Sequence, residues 1–268
     1  MAEVGLEIAG LPTGIRTRDP GLASIVRERY KGFLSGAARA EDAGWRIDME
    51  AAPATPSPTD DVVVRPHDRP ARFQVSRGDL AGTVDLEARR ATVRLFPPNE
   101  FSIDTFLRIV YSLALVEDRG LVIHAASLIR NGRAFLFPGR SGSGKTTIAR
   151  LSRDATLLSD ELSIVRLGDG RARCHGTPFW GELARGGEDR AAPLHAIYFL
   201  QHGHRHAVEA LAPGQALQRL LPNVLFFARE ARVTARVFDI AADLVDAVPS
   251  YNLSFRRDAG FWEIIDRG

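Results

Sequence analysis

Lysine, cysteine and long apolar runs are scarce in this sequence, and each shortage narrows what the protein can be. Lys31 and Lys145 are the two lysines among the 35 basic residues. Cys174 is the one cysteine, so no intrachain disulfide can form and a reducing compartment is expected. No segment approaches the roughly 20 consecutive apolar residues that cross a bilayer, and residues 1–4 lack the basic start of a secretion signal. We therefore expect a cytoplasmic protein without a membrane partner.

A strong charge of either sign is also missing. The net charge is +2 at pH 7, and the arginines form no dense stripe of the kind that binds nucleic acid, so no nucleic-acid partner is expected. The chain has 268 residues, of which 45% are hydrophobic, enough for one large domain or two small ones. Apolar residues at helical spacing predict helices over residues 101–116 and within residues 224–245.

A β-hairpin is predicted just before the most informative segment. The Asn-Gly pair at 131–132 separates two apolar, β-branched runs, Leu121–Arg130 and Arg133–Pro138, and both turn positions need positive φ. A two-residue turn pairs residue 130 with 133 and, further along the ladder, His124 with Gly139. We interpret His124 as part of a site beside Gly139, and a buried structural histidine is the alternative.

The segment after the hairpin matches the phosphate-loop pattern G-x-x-x-x-G-K-[ST]. It reads Gly139-Arg140-Ser141-Gly142-Ser143-Gly144-Lys145-Thr146. Glycines let successive N–H groups turn toward phosphate oxygens, Lys145 can reach the β- and γ-phosphates, and the Thr146 hydroxyl can bind Mg²⁺. The predicted ligands are therefore ATP and Mg²⁺, and the predicted nucleotide-binding residues are Gly139, Arg140, Ser141, Gly142, Ser143, Gly144, Lys145, Thr146 and Thr147. A chance glycine-rich turn is the alternative.

Two carboxylates follow the next predicted strand, residues 156–159. Asp160 comes 15 residues after Lys145, which leaves room for one helix and a returning strand. We therefore expect Asp160 and Glu161 beside the loop, where carboxylates can hold Mg²⁺ or accept a proton. An ordinary acidic turn is the alternative.

The order of these features resembles a known family. Ile123-His124, the hairpin, the loop and Ser159-Asp160-Glu161 follow one another as in the bacterial HPr kinase/phosphorylase family. The chain looks most like the HPr kinase-related proteins found beside peptide-modification systems, over residues 121–200. This resemblance implies an α/β fold with a P-loop-containing HPr kinase-like core, a mixed sheet flanked by helices, similar to the nucleotide-binding core of phosphoenolpyruvate carboxykinase. Residues 100–268 would form this nucleotide-binding and catalytic domain, and residues 1–99 a smaller α+β region of unknown role.

The resemblance also implies roles for single residues. Lys145 would bind phosphate, Asp160 would take the proton of the acceptor hydroxyl, and His124 would assist. The implied metal ligands are Thr146, Glu161 and Glu182. The family usually has a second aspartate where this chain has Glu161, and its phosphorolysis signature is not found here, so kinase rather than phosphorylase chemistry is implied.

The predicted function is a Mg-ATP-dependent phosphotransferase acting on a serine-like hydroxyl of a peptide or small protein. Two alternatives stay open: a kinase for the hydroxyl of a small metabolite, and a nucleotide-binding regulatory module with little turnover. A homo-oligomer is compatible with the sequence.

Two further groups allow more than one interpretation. His202, His204 and His206 alternate, which suits a metal site on a strand face, but the glycine among them favours a hairpin turn with exposed histidines. Arg185 or Arg190 could stabilise transferred charge, and ordinary solvated arginines are the alternative.

Overall fold

The computed structural model describes residues 1–35, 44–53, 61–228 and 230–266. The chain divides into two compact units, Met1–Glu117 with Phe226–Ala235, and Asp118–Leu225 with Arg236–Gly268. The helix predicted over residues 101–116 belongs to the first unit. The predicted boundary at residue 99 assigns that helix to the C-terminal domain, whereas the division into compact units assigns it to the first unit.

The described residues of the first unit form one seven-stranded mixed sheet and two α-helices. In chain order the elements are β1 Ala2–Ile8, β2 Leu11–Thr17, α1 Pro20–Arg29, β3 Trp45–Ala51, β4 Val63–Pro66, β5 Arg72–Arg77, β6 Leu80–Asp85, β7 Arg90–Leu95 and α2 Glu100–Glu117. The strand order is β1-β2-β3-β7-β6-β5-β4. Helix α2 confirms the helix predicted over residues 101–116. No helix of the described residues is long and apolar enough to cross a membrane.

A buried charge cluster joins α1 to α2 inside the first unit. The Asp104 carboxylate accepts hydrogen bonds from the Arg29 guanidinium and the Tyr30 hydroxyl, both at 2.9 Å, and pairs with Arg108 at 2.7 Å. Burial and the nearby Asp104 charge raise the pKa of Tyr30. Because a buried charge is tolerated only when it is paired, these contacts fix how the two helices meet.

The described residues of the second unit form an eight-stranded mixed sheet with helices around it. The elements are β8 Gly120–Arg130, β9 Arg133–Pro138, α3 Lys145–Leu151, β10 Thr156–Ser159, β11 Leu162–Gly168, β12 Arg171–His175, β13 Ala191–His202, β14 Ala207–Ala210, α4 Pro213–Leu220, α5 Ala231–Ala247, β15 Ser250–Phe255 and α6 Phe261–Ile265. The first five residues of α5 belong to the first unit and the rest to this one. The strand order is β10-β8-β11-β12-β13-β15-β14, and β9 pairs with both β8 and β13. The mixed α/β class agrees with the predicted one.

Strands β8 and β9 form the predicted hairpin. Asn131 and Gly132 have φ angles of 51° and 74°, as the predicted turn requires. The register runs without a shift from the pair 130–133 to the pair 125–138. The Gly139 N–H then donates to the His124 carbonyl oxygen at 3.1 Å. The predicted pairing of His124 with Gly139 is confirmed.

Three strands of the second unit, β9, β13 and β15, run parallel and end at the same edge of the sheet. Phe137 and Phe255 from this sheet pack with Ile148 of α3 and with Phe261 and Trp262 of α6 in one buried cluster. The segments that follow parallel strands meet at one edge, which is where open α/β sheets commonly bind ligands.

The long helix predicted within residues 224–245 is confirmed, but the first residues of that stretch do not belong to it. Val224 forms a β-bridge with Ile123, and the Leu225 N–H donates to the Val122 carbonyl oxygen at 2.8 Å. Because these backbone groups bond to strand β8, they cannot take part in a helix. Helix α5 therefore begins at Ala231.

Candidate functional site

The glycine-rich loop, residues 139–146, connects β9 to α3 at the edge where the parallel strands end. Gly142 and Gly144 have φ angles of 80° and 103°, which other residues rarely adopt. A Cβ atom on Gly144 would lie 2.7 Å from Cζ of Phe255, the last residue of β15. The loop therefore packs so closely against the end of β15 that position 144 requires glycine.

Lys145 folds back over this loop. The residue is 6% exposed, and its Nζ atom donates to the carbonyl oxygens of residues 139 and 140, at 2.8 Å and 3.1 Å. Burial lowers the pKa of Lys145, while the negative charges of Glu161, Glu182 and Asp160 oppose that shift, Glu161 most strongly. The lysine and the three predicted carboxylates are thus close enough to interact electrostatically.

Several hydrogen-bond donors of the loop have no protein partner within the described ranges. The Ser143 hydroxyl oxygen is buried and bonds to no group there. The N–H groups of Gly144 and Thr146 also donate to no protein acceptor in the described part of the chain. A buried polar atom without a partner is costly. The oxygen atoms of a phosphate would satisfy these groups, so the residues present fit that ligand.

Asp160 is buried, and the backbone of a later turn occupies both of its oxygens. The residue is 1% exposed; Oδ1 accepts from the Gly181 N–H at 3.0 Å and Oδ2 from the Leu183 N–H at 2.9 Å. The Ala184 N–H donates to the Gly181 carbonyl at 3.2 Å and closes this turn. Asp160 therefore holds the turn at 181–184, which carries Glu182.

Glu161, the next residue, contacts His124. Nε2 of His124 lies 3.1 Å from Oε1 of Glu161, and the two side chains are 28% and 29% exposed. The pairing of β8 with β11 brings them together, because Leu162 lies opposite His124. A Cβ atom on Gly181 would lie 2.8 Å from Oε2 of Glu161, so the turn also packs against this carboxylate. A carboxylate in this position can orient an imidazole.

Glu182 is exposed on the turn and acts on the pKa of Lys145. Among the described residues, no group of three or more His, Cys, Asp or Glu side chains is arranged to hold a metal ion. Mg²⁺ is usually bound by only one or two carboxylates together with water and substrate phosphates. Thr146, Glu161 and Glu182 therefore stay the predicted Mg²⁺ ligands, and the described residues show no preformed metal site among them.

His202 is a neighbour of the loop that the sequence pattern did not reveal. Its Nε2 atom lies 3.2 Å from the Gly142 carbonyl oxygen, and its ring centroid lies 5.7 Å from that of Phe255. His206 pairs instead with Asp258 at 2.7 Å. The predicted hairpin at these histidines is wrong, because β15 lies between β13 and β14. The signal that could have found His202 is its place at the end of a strand parallel to β9.

The two arginines considered for charge stabilisation have other surroundings. Arg190 donates to the Thr156 hydroxyl at 3.4 Å and lies 3.9 Å from the Glu188 carboxylate. Arg185 lines a cavity beside the last turn of α3. Among the described contacts, neither arginine bonds to the glycine-rich loop.

The sequence matches the model of one protein family, described as SynChlorMet cassette protein ScmC, over residues 99–267. The chain belongs to the ScmC family. The match begins beside α2 and includes the glycine-rich loop, the acidic pair and the turn at 181–184. A comparison with curated proteins gives no match.

Among solved structures, this ScmC-family chain is similar to the HPr(Ser) kinase/phosphatase from Coxiella burnetii. The TM-score is 0.34 at 10% sequence identity, and the alignment covers 55% of this chain and 93% of that one. This likeness is loose.

Proposed function

We propose that this member of the ScmC family is a Mg-ATP-dependent phosphotransferase for a serine-like hydroxyl of a peptide or small protein. The observation that supports it most is one group of side chains. Lys145 interacts with Glu161, Glu161 contacts His124, and the buried Ser143 hydroxyl of the adjoining loop has no partner in the described chain. A cation, a proton-accepting pair and unfilled donors are the parts that phosphoryl transfer needs.

In this proposal the glycine-rich loop holds the phosphates of the donor. The Ser143 hydroxyl and the N–H groups of Gly144 and Thr146 supply donors, and Lys145 supplies the positive charge. Lys145 now bonds to two neutral carbonyl oxygens. Exchanging these for phosphate oxygens would give stronger, charge-assisted hydrogen bonds. The lysine is therefore suited to move from the loop backbone to an anion.

Mg²⁺, when bound, would offset charge on the β- and γ-phosphates. Thr146 and Glu182 are the residues proposed to hold it, with Glu161 completing the acidic surroundings. Glu161 and Glu182 are the two carboxylates that oppose the pKa shift of Lys145 most strongly, which supports placing them near the same charge.

The proposed acceptor of the hydroxyl proton is the pair formed by His124 and Glu161. Both side chains are partly open to solvent and lie 3.1 Å apart. Asp160, to which the resemblance gives this task, is proposed as a positioning residue, because it is buried and both oxygens accept backbone N–H groups. The acceptor oxygen forms a bond to the γ-phosphorus, the bond from that phosphorus to the bridging oxygen breaks, and the proton passes to the pair.

Transfer of the terminal phosphate from labelled ATP to serine-containing peptides tests the proposal. Lys145→Ala and His124→Gln should each lower the rate by about 100-fold or more, the usual range for losing such groups. His204→Gln changes an exposed histidine outside the pair and serves as the control. If Lys145→Ala and His124→Gln transfer label as fast as the parent protein, the proposal is wrong.

The same assay separates the two alternatives. Transfer to a free metabolite hydroxyl, with none to peptides, would keep the chemistry and change the acceptor. Tight ATP binding without transfer or phosphate release would make the chain a nucleotide-binding module instead.

A further inference from the structure

The second unit also contains a cavity of about 280 Å³ beside the last turn of α3. Leu128 and Leu157, both buried, line it from β8 and β10, and Leu183 lines it from the turn that Asp160 holds. The cavity arginines, which are exposed, are Arg150, Arg153 and Arg185. No lining residue belongs to the glycine-rich loop, so this cavity is separate from the loop that is proposed to hold the nucleotide phosphates.

The cavity arginines give this cavity three positively charged lining residues, and no acidic residue lines it. Within the described ranges none of them forms an ion pair. Asp154 is adjacent in sequence to Arg153, but it does not line the cavity and pairs with none of the three. Elsewhere in this unit an arginine beside a cavity does have a partner, since Arg130 pairs with Asp266 at 3.0 Å. Uncompensated positive charge around a concave surface attracts anions.

We propose that this cavity binds a compact polyanion, a small molecule with at least two phosphate or carboxylate groups. Guanidinium groups bind both kinds of anion through paired, parallel hydrogen bonds. The leucines provide an apolar surface for a carbon skeleton, as small-molecule sites commonly do. The volume of about 280 Å³ lies just below the usual range for such sites, about 300–1,000 Å³, which favours a ligand smaller than a nucleotide.

Calorimetric titration of the full chain with citrate, and separately with pyrophosphate, tests this site at low salt without nucleotide. The parent protein should bind at least one of the two probes. Arg150→Gln and Arg185→Gln should each weaken that binding about tenfold, as expected for one lost charge-assisted contact. Arg171→Gln, an exposed arginine on β12 outside the cavity, is the matched control and should bind like the parent. Arg150→Ala or Arg185→Ala replaces any glutamine variant that does not fold.

Lys145→Ala distinguishes this cavity from the glycine-rich loop. The affinity should persist in Lys145→Ala and fall in the variants of the cavity arginines. The proposal is overturned if neither probe binds the parent at millimolar concentration, if the double variant of Arg150 and Arg185 binds as tightly as the parent, or if Lys145→Ala alone abolishes binding. Comparing the two probes tells phosphate recognition from carboxylate recognition.

Discussion

Asp160 and Glu161 are adjacent in the chain, but their carboxylates lie in different surroundings. Asp160 is 1% exposed and accepts the N–H groups of Gly181 and Leu183, whereas the Glu161 side chain is 29% exposed and contacts His124. The first carboxylate therefore holds backbone in place, and the second is accessible to a substrate. This difference leads to opposite expectations for two similar substitutions.

Asp160→Asn should destabilise the protein, whereas Glu161→Gln should mainly lower phosphate transfer. An asparagine at 160 would lose one charge-assisted bond and turn an NH₂ group toward a backbone N–H, at a cost of about 1–3 kcal/mol. Urea unfolding measures this cost, and the transfer assay measures the effect of Glu161→Gln. Equal stability of Asp160→Asn and the parent would contradict the positioning role of Asp160.

Alanine should be tolerated much better at position 142 than at position 144. Both glycines have positive φ, so each substitution carries a backbone cost of about 1 kcal/mol. A Cβ atom at 142 meets nothing within 4 Å, but at 144 it would meet the Phe255 ring at 2.7 Å. Overpacking of this kind adds about 1–3 kcal/mol. Chemical unfolding of both variants measures the difference.

The clash with Phe255 can be tested separately. Phe255→Leu replaces the ring that meets the new Cβ atom with a shorter side chain. Gly144→Ala should therefore lower the free energy of unfolding less in the Phe255→Leu background than in the parent. Additive costs in this double-mutant cycle would mean that the two residues do not meet as described.

Stability should fall as the pH drops below 6.5, in part because of His175. Burial, followed by the charges of Arg166 and Arg173, lowers the pKa of His175 from 6.5 to about 4. The unfolded chain therefore binds this proton at a higher pH than the folded chain, so stability is fully present above pH 6.5 and is lost between about pH 6.5 and 4. Urea unfolding at several pH values measures the slope. His175→Gln should give a shallower slope, and an unchanged one would refute this assignment.

In the first unit, removal of Asp104 should cost far more stability than removal of Asp68. Asp104 is buried and accepts from the Arg29 guanidinium and the Tyr30 hydroxyl, so Asp104→Ala removes the carboxylate of a buried ion pair, at a cost of about 3–5 kcal/mol. Asp68 forms an exposed pair with Arg72, and such pairs contribute about 0–1 kcal/mol. The two alanine variants are compared by urea unfolding, and similar costs would argue against a paired, buried Asp104.

The sequence by itself determined the parts of this protein that depend on neighbouring residues. The Asn-Gly turn fixes the register of β8 against β9, and with it the pairing of His124 and Gly139. The glycine pattern sets the loop between a strand and a helix. These features depend on the φ angles and side chains of a few adjacent residues, so a local pattern is enough to predict them.

Only the tertiary structure decided which distant segments meet. Strand β15 separates β13 from β14, the segment at 224–225 bonds to β8 instead of joining a helix, and the turn at 181–184 engages Asp160 while Glu161 contacts His124. The cavity arginines likewise come from α3, the segment directly after it and the segment that follows the turn at 181–184. The physical reason is that strand partners and the burial of a carboxylate depend on packing between segments far apart in the chain, for which no short sequence pattern exists.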